Sequence, residues 1–140
     1  GGGGRAADGD GDFARLDGLR VVVVDDDDDG REVVRAALSA SGAEVIARAN
    51  AADAFDAVVA HRPDVLISDI AMPGEDGYSL VRRVRGLDGS TRQPLAIAVT
   101  AFASEDDRRR AISVKFDHHV AKPVDPAELT RLIARSVRKD

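Results

Sequence analysis

The stretch Val21–Gly30 reads VVVVDDDDDG: four β-branched apolar residues, then five carboxylates without a gap. Two unit charges about 4 Å apart repel by roughly 1 kcal/mol in water and about 4 kcal/mol at an effective dielectric of 20. A second apolar run, DVLISD, ends in Asp69 and leads into the Pro-Gly turn of IAMPGEDG. A third, AIAVT, ends in the hydroxyl of Thr100, and HVAKPV presents Lys122, one of three lysines against seventeen arginines. Where Arg is so favoured, a Lys suggests a need for a compact ammonium rather than a planar fork. Carboxylates brought together would largely protonate or repel unless a cation joined them. Hard oxygen ligands around an open position suit Mg²⁺, which keeps several waters and shares its shell with phosphate oxygens. With a hydroxyl and an ammonium beside them, such groups could accept a phosphoryl group. Asp69 would attack as the nucleophile, and Mg²⁺, Thr100 and Lys122 would hold the three equatorial oxygens. Taken singly, Thr100 and Lys122 are ordinary strand-end polar residues, and an acidic run is usually a solvated loop. The chemistry requires that the chain bring them together.

From Leu19 onward the pattern supplies the means. Short apolar runs, LRVVVV, AEVIA, DVLIS, LAIAVT and HHVA, alternate with segments of helical spacing, GREVVRAALSAS, AADAFDAVVAHR, GYSLVRRVRGL, SEDDRRRAISV and DPAELTRLIARSVRK. Val33, Val34, Ala37 and Leu38 form one apolar stripe, and Leu129, Leu132, Ile133 and Val137 another. Asp125-Pro126-Ala127-Glu128 places an N-cap, a first-turn proline and a capping-box Glu, and Ser104 with Asp107 and Asn50 with Asp53 repeat the logic. Pro63, Pro94 and Pro123 fall outside the helical segments. Strand–helix repeats without a hairpin imply a parallel sheet covered on both faces. Right-handed crossovers leave few topologies, and for five strands the flavodoxin-like, doubly wound order 2-1-3-4-5 is expected. Ligands of such sheets bind at the carboxyl ends of the first and third strands, where the order reverses. Adjacent strands lie about 4.8 Å apart, so Asp25, Asp26 and Asp69 should converge there.

The bulk numbers fit one domain with a real core: 140 residues, 44% hydrophobic but only 4% aromatic, so Val, Ala, Leu and Ile must fill it. A net charge of −5 argues against a nucleic-acid binder, and the absence of cysteine excludes disulfides, thiolate metal sites and a cysteine nucleophile. No apolar run approaches the roughly 20 residues of a membrane helix, and no signal peptide is visible. The expectation is a soluble, cytoplasmic domain with no membrane contact. Residues 1–18, GGGGRAADGDGDFARLDG, read as a flexible Gly/Asp-rich linker, with the domain spanning residues 19–140. With Met72 the sole methionine, the chain is expected to be a piece of something longer.

The text LRVVVVDDDDDGREVVRAAL, then PDVLISDIAMPGEDGYSL, AVTAFA and VAKPVDPAEL resembles the receiver domain of two-component response regulators, from about Leu19 to the C-terminus and in four motifs of matching order and spacing. The resemblance implies that Asp69 is the phosphoacceptor, charged from a phosphohistidine on a histidine kinase or phosphotransfer domain. Asp25 and Asp26 match the acidic pair that binds Mg²⁺, and the backbone carbonyl of Ala71 would complete the protein ligands. Thr100 matches the switch hydroxyl, Lys122 the lysine before a cis proline, and His119 the switch position that is usually aromatic. Signalling would pass to the face of the fourth helix, fifth strand and fifth helix, through which a homodimer could form. Asp28 stands where many relatives have proline and Lys115 where glycine commonly ends the fourth helix. The His119 and LAKPVDPAEL-like features resemble receivers attached to hybrid sensor kinases.

Two other classes compete. A Mg²⁺-dependent phosphohydrolase also attacks through aspartate, but usually carries an acid/base carboxylate two residues on, where this chain has Ala71; Phe102, two after Thr100, is also a poor water-positioner. An inactive receiver used only for protein contacts is the other. Calcium-loop readings fail: from Asp8 the sixth and twelfth positions are Phe13 and Leu19, and from Asp25 the twelfth is Ala36. His118 and His119, adjacent on a strand, should face opposite sides and not share a metal. Glu75 and Asp76 read as turn chemistry, and Arg108-Arg109-Arg110 as a solvated face.

Overall fold

The computed structural model describes residues 15–89, 92–101 and 104–137. Five strands, β1 (Arg20–Val24), β2 (Glu44–Arg48), β3 (Val65–Asp69), β4 (Leu95–Thr100) and β5 (His118–Ala121), alternate with α1 (Asp28–Ala40), α2 (Ala51–His61), α3 (Gly77–Arg85), α4 (Glu105–Ser113) and α5 (Pro126–Val137). The sheet is parallel throughout, in the order β2-β1-β3-β4-β5. This is the doubly wound topology the alternation implies. Val21 to Val24 are all at most 2% exposed, as a strand covered on both faces requires.

Successive side chains of each strand feed opposite layers. Val21, Val23, Val65, Ile67, Ile97 and Val99 pack against Val34 and Leu38 of α1 and Leu129 and Ile133 of α5. Val22, Val24 and Leu66 pack against Ala54 and Val58 of α2 and Leu80 and Val84 of α3. The alanines of β4, Ala96 and Ala98, admit Tyr78, Val81 and Phe116.

Two details depart from the sequence reading. Leu16, assigned to the linker, is 1% exposed and belongs to the core, and its N–H donates to the carbonyl of Ser41 at 2.7 Å; ordered packing starts three residues before Leu19. Residues 1–14, with most of the proposed 1–18 linker and the start of the Asp8 motif, lie outside the described residues, as does Phe102. Val33, assigned to the apolar stripe of α1, is 51% exposed, while Val34 and Leu38 carry the buried contact. Lys115 does adopt the left-handed backbone, at φ 78°, that glycine would occupy without cost.

Candidate functional site

The five consecutive carboxylates divide their duties. The Asp25 N–H still pairs with the carbonyl of Arg48, so this side chain leaves from the strand's end. Asp27 is the N-cap of α1, accepting from the N–H of Gly30 at 2.8 Å, and its own N–H donates to Oδ1 of Asp25 at 2.9 Å. Asp28 and Asp29 form the first turn of α1, where the helix dipole favours negative charge. Asp28 therefore occupies the first helical position, the one at which proline is tolerated. Two carboxylates remain for chemistry, Asp25, buried, and Asp26, exposed.

The register places the rest. Val24 of β1 pairs with Ser68 of β3, so Asp25 and Asp69 are the next residues along their strands. Asp69 pairs with Val99, one short of Thr100, and Thr100 pairs with Ala121, one short of Lys122. Carboxylate oxygens of Asp25, Asp26 and Asp69 lie within 4.8 Å of one another. The Nζ of Lys122 stands 3.3 Å from Oδ2 of Asp69 and 3.7 Å from Oδ2 of Asp25. The Lys122 N–H donates to the carbonyl of Thr100 at 2.8 Å, and the Lys122–Pro123 peptide is cis. Thr100 itself is buried beside the site.

Charge is held here against its preference. Burial, followed by the neighbouring Asp25 charge, raises the pKa of Asp69 from 3.8 to about 6, although Lys122 pulls the other way. Burial also works against the Lys122 ammonium, but Asp69 and Asp25 outweigh it, so its pKa lies above the ordinary value. One ammonium between two carboxylates leaves a net negative pocket of hard oxygens, a donor set that fits a divalent cation.

Two clefts flank the cluster. One of about 450 Å³ runs past Val33, Val34, Val99, Lys122 and Val124 on the α1–α5 side. The other, about 440 Å³, lies between Ala71, Tyr78, Thr100, Asp107 and Arg110, with the Arg110 guanidinium 4.3 Å above the Tyr78 ring. A further cleft, of about 650 Å³, sits at the opposite edge of the sheet, where Arg85 and Arg92 are committed to Asp117 and Asp64.

The structure thus brings together Asp25, Asp26, Asp69 and Lys122, with Thr100 and Ala71 along one flanking cleft. His119 sits half-buried on β5 opposite Ala98. His118 contacts Ser136 on α5 through Nε2 at 3.0 Å, and turns to the other face, so the two histidines share no metal. Asp76 caps α3 by accepting from Ser79 N–H, and Glu75 binds Ser79 and Arg83, the turn roles expected of them. Arg109 and Arg110 are exposed, as a solvated face requires, and the Arg110 guanidinium also lies over the Tyr78 ring.

Sequence reasoning missed two supporting residues. Arg31 of α1 donates from Nη1 to the carbonyl of Asp25 at 2.7 Å, and Ser68 donates from Oγ to the carbonyl of Asp69 at 2.8 Å. The signal for Ser68 was available: a hydroxyl at a fully buried position within an apolar strand needs a partner.

Residues 21–134 match the family model of the response regulator receiver domain. A 14.6 kDa protein of Leptolyngbya boryana is 44% identical over 82% of this chain and 87% of its own length. Hybrid signal transduction histidine kinase D of Dictyostelium discoideum is 33% identical over 89% of this chain but only 8% of its own length. The chain spans about half the length of the transcriptional regulators it also matches. Among solved structures, the Vibrio cholerae chemotaxis protein CheY4 aligns with a TM-score of 0.78 at 28% identity, over 84% of this chain and 97% of that one. This chain belongs to the response regulator receiver domain family. It is a phosphoacceptor receiver domain of two-component signalling, and the Asp25–Asp26–Asp69 cluster fits its phosphorylation site.

Proposed function

We propose that Asp69 takes a phosphoryl group from a phosphohistidine of a histidine kinase or phosphotransfer domain. The observation that carries this is the convergence of three carboxylates and Lys122 Nζ at the carboxyl ends of β1, β3 and β5. Oδ of Asp69 attacks phosphorus, the new P–O bond forms as the P–N bond breaks, and the imidazole leaves with the electron pair on nitrogen. The Lys122 ammonium already bridges Asp69 and Asp25, so it screens the nucleophile's repulsion from the incoming anion and then pairs with the phosphoryl oxygens. The Thr100 hydroxyl donates to another of these oxygens, and His119 on the neighbouring strand fills the space that Thr100 leaves, which transmits the change to the α4–β5–α5 face. Asp25, Asp26, Asp69 and the carbonyl of Ala71 would hold Mg²⁺, which, when bound, neutralises charge developing on the transferred group.

The domain acts in cytoplasmic signalling as part of a longer protein, with the residues that precede Leu16 as its tether. The match to a hybrid kinase supports a receiver of that kind, with a homodimer through the α4–β5–α5 face as a further contact. Among the described residues no helix is long and apolar enough to cross a membrane. With Ala71 where a phosphohydrolase would carry its second carboxylate, the acyl phosphate should turn over slowly. Phosphoramidate with Mg²⁺ should add one phosphoryl mass to the wild type and none to Asp69→Asn. An equal mass gain in the variant would remove Asp69 from this role, and multiple turnovers on a phosphomonoester would favour the hydrolase.

A further inference from the structure

The acceptor's side chain can be no better placed than the peptide that follows it, and two contacts hold that peptide while a third holds the next. The N–H of Ile70 donates to the carbonyl of Val99 at 3.1 Å, which ties the Asp69–Ile70 peptide to β4. At its other end the carbonyl oxygen of Asp69 accepts the Ser68 hydroxyl at 2.8 Å. The next carbonyl, that of Ile70, accepts the N–H of Gly77 at 2.9 Å, where α3 begins. Ser68 is 0% exposed and lies under that helix start: a Cβ built on Gly77 would fall 3.0 Å from Ser68 Oγ and 2.4 Å from the carbonyl oxygen of Asp69. The bare backbone of Gly77 therefore seats α3 directly on the hydroxyl and on the peptide it holds.

We propose that Ser68 is a positioning residue for phosphoryl transfer: its hydroxyl fixes the Asp69–Ile70 peptide and so sets the direction of both the Asp69 carboxylate and the chain leading to Ala71. The inference rests on the phosphoacceptor reading above. The site needs such a restraint, because carboxylate oxygens of Asp25 and Asp69 lie within 4.8 Å of one another and an unclamped peptide would let these like charges part. Ser68 touches neither the transferred group nor the ion. Its effect is on how well the site is prearranged, the role of groups that orient metal ligands and whose loss typically costs about 10- to 100-fold in metal affinity or activity.

The test compares wild type, Ser68→Ala and Asp69→Asn. Mg²⁺ binding is measured by titration calorimetry, phosphorylation by phosphoramidate at saturating Mg²⁺ by intact mass, and stability by urea. Ser68→Ala removes one oxygen and leaves room enough to fold. It should weaken Mg²⁺ binding and slow phosphorylation, each by about tenfold, with the phosphoramidate concentration dependence unchanged. Wild-type values for both overturn the inference, whether or not the urea midpoint falls, since a merely structural hydroxyl changes stability without changing the folded protein's chemistry. If Asp69→Asn is inert while Ser68→Ala is normal, this inference alone falls. If Asp69→Asn is still phosphorylated, the functional reading falls with it.

Discussion

Replacing Asp69 with Asn removes a charge that folding must bury, and the change should stabilise the metal-free protein. The Asp69 carboxyl titrates near 6 in the folded chain against an ordinary 3.8. Since each unit is worth 1.36 kcal/mol, ionised Asp69 costs the fold up to about 3 kcal/mol at pH 8. The sign follows from proton uptake. Between about pH 4 and 6 the folded state holds a proton that the unfolded state has released, so stability falls as pH rises through that window and levels off above it. An Asn cannot ionise, so the advantage of Asp69→Asn should be about 3 kcal/mol at pH 8 and shrink to about 1 kcal/mol at pH 4.5. Urea unfolding of both proteins in EDTA, followed by circular dichroism at the two pH values, measures the difference directly. Equal midpoints at pH 8, or an advantage that does not shrink on acidification, would refute the reasoning that burial and Asp25 strain this site.

Mg²⁺ at one hundred times its Kd should add about 2.7 kcal/mol to the unfolding free energy of the wild type, and Asp25→Asn should lose most of that gain in the same urea assay. Lys122→Met deletes the cation that lowers the Asp69 pKa, so a carbon-detected NMR titration of that carboxyl should report a midpoint above the wild type's 6 or so. Lys115→Gly relieves a side-chain clash at φ 78° without touching the carbonyl that Arg85 binds, and should raise thermal stability by about 0.5–1 kcal/mol. Gly77→Ala sets a methyl 2.4 Å from the Asp69 carbonyl oxygen, and should cost about 1–3 kcal/mol in urea.

The fold was legible because each local signal agreed with the next. Asn50, Ser104 and Asp125 all cap the helices they precede, and the alternation of apolar runs left one sensible sheet order. The acidic cluster was legible for the same reason, since strand register determines which residues meet at an edge. Other features needed coordinates. Composition made Leu16 part of a Gly/Asp linker, although one side chain buried in the core, with its N–H on the Ser41 carbonyl, outweighs several polar neighbours. Helical periodicity gave Val33 to the core, but the narrow contact of α1 with the sheet reaches only Val34 and Leu38. The run of aspartates could not be apportioned from text, because capping and metal binding use the same side chain and only backbone direction separates Asp27 from Asp25 and Asp26. Ser68 and Arg31 act on main-chain carbonyls, and such partners leave no spacing pattern to read.

Arg85 occupies the far end of the molecule from the phosphoryl chemistry, and its guanidinium bolts three segments together. It donates to the carbonyls of Pro94, before β4, and Lys115, after α4, and to the carboxylate of Asp117, before β5. A helix pinned at its tail can swing only from its head. Lys115 is therefore the fulcrum of α4, and if phosphorylation draws in Thr100 as proposed, the head of the helix is the end that travels. Amide exchange around Lys115–Asp117 should then stay slow on phosphorylation while the start of α4 quickens, and the reverse order would put the pivot elsewhere.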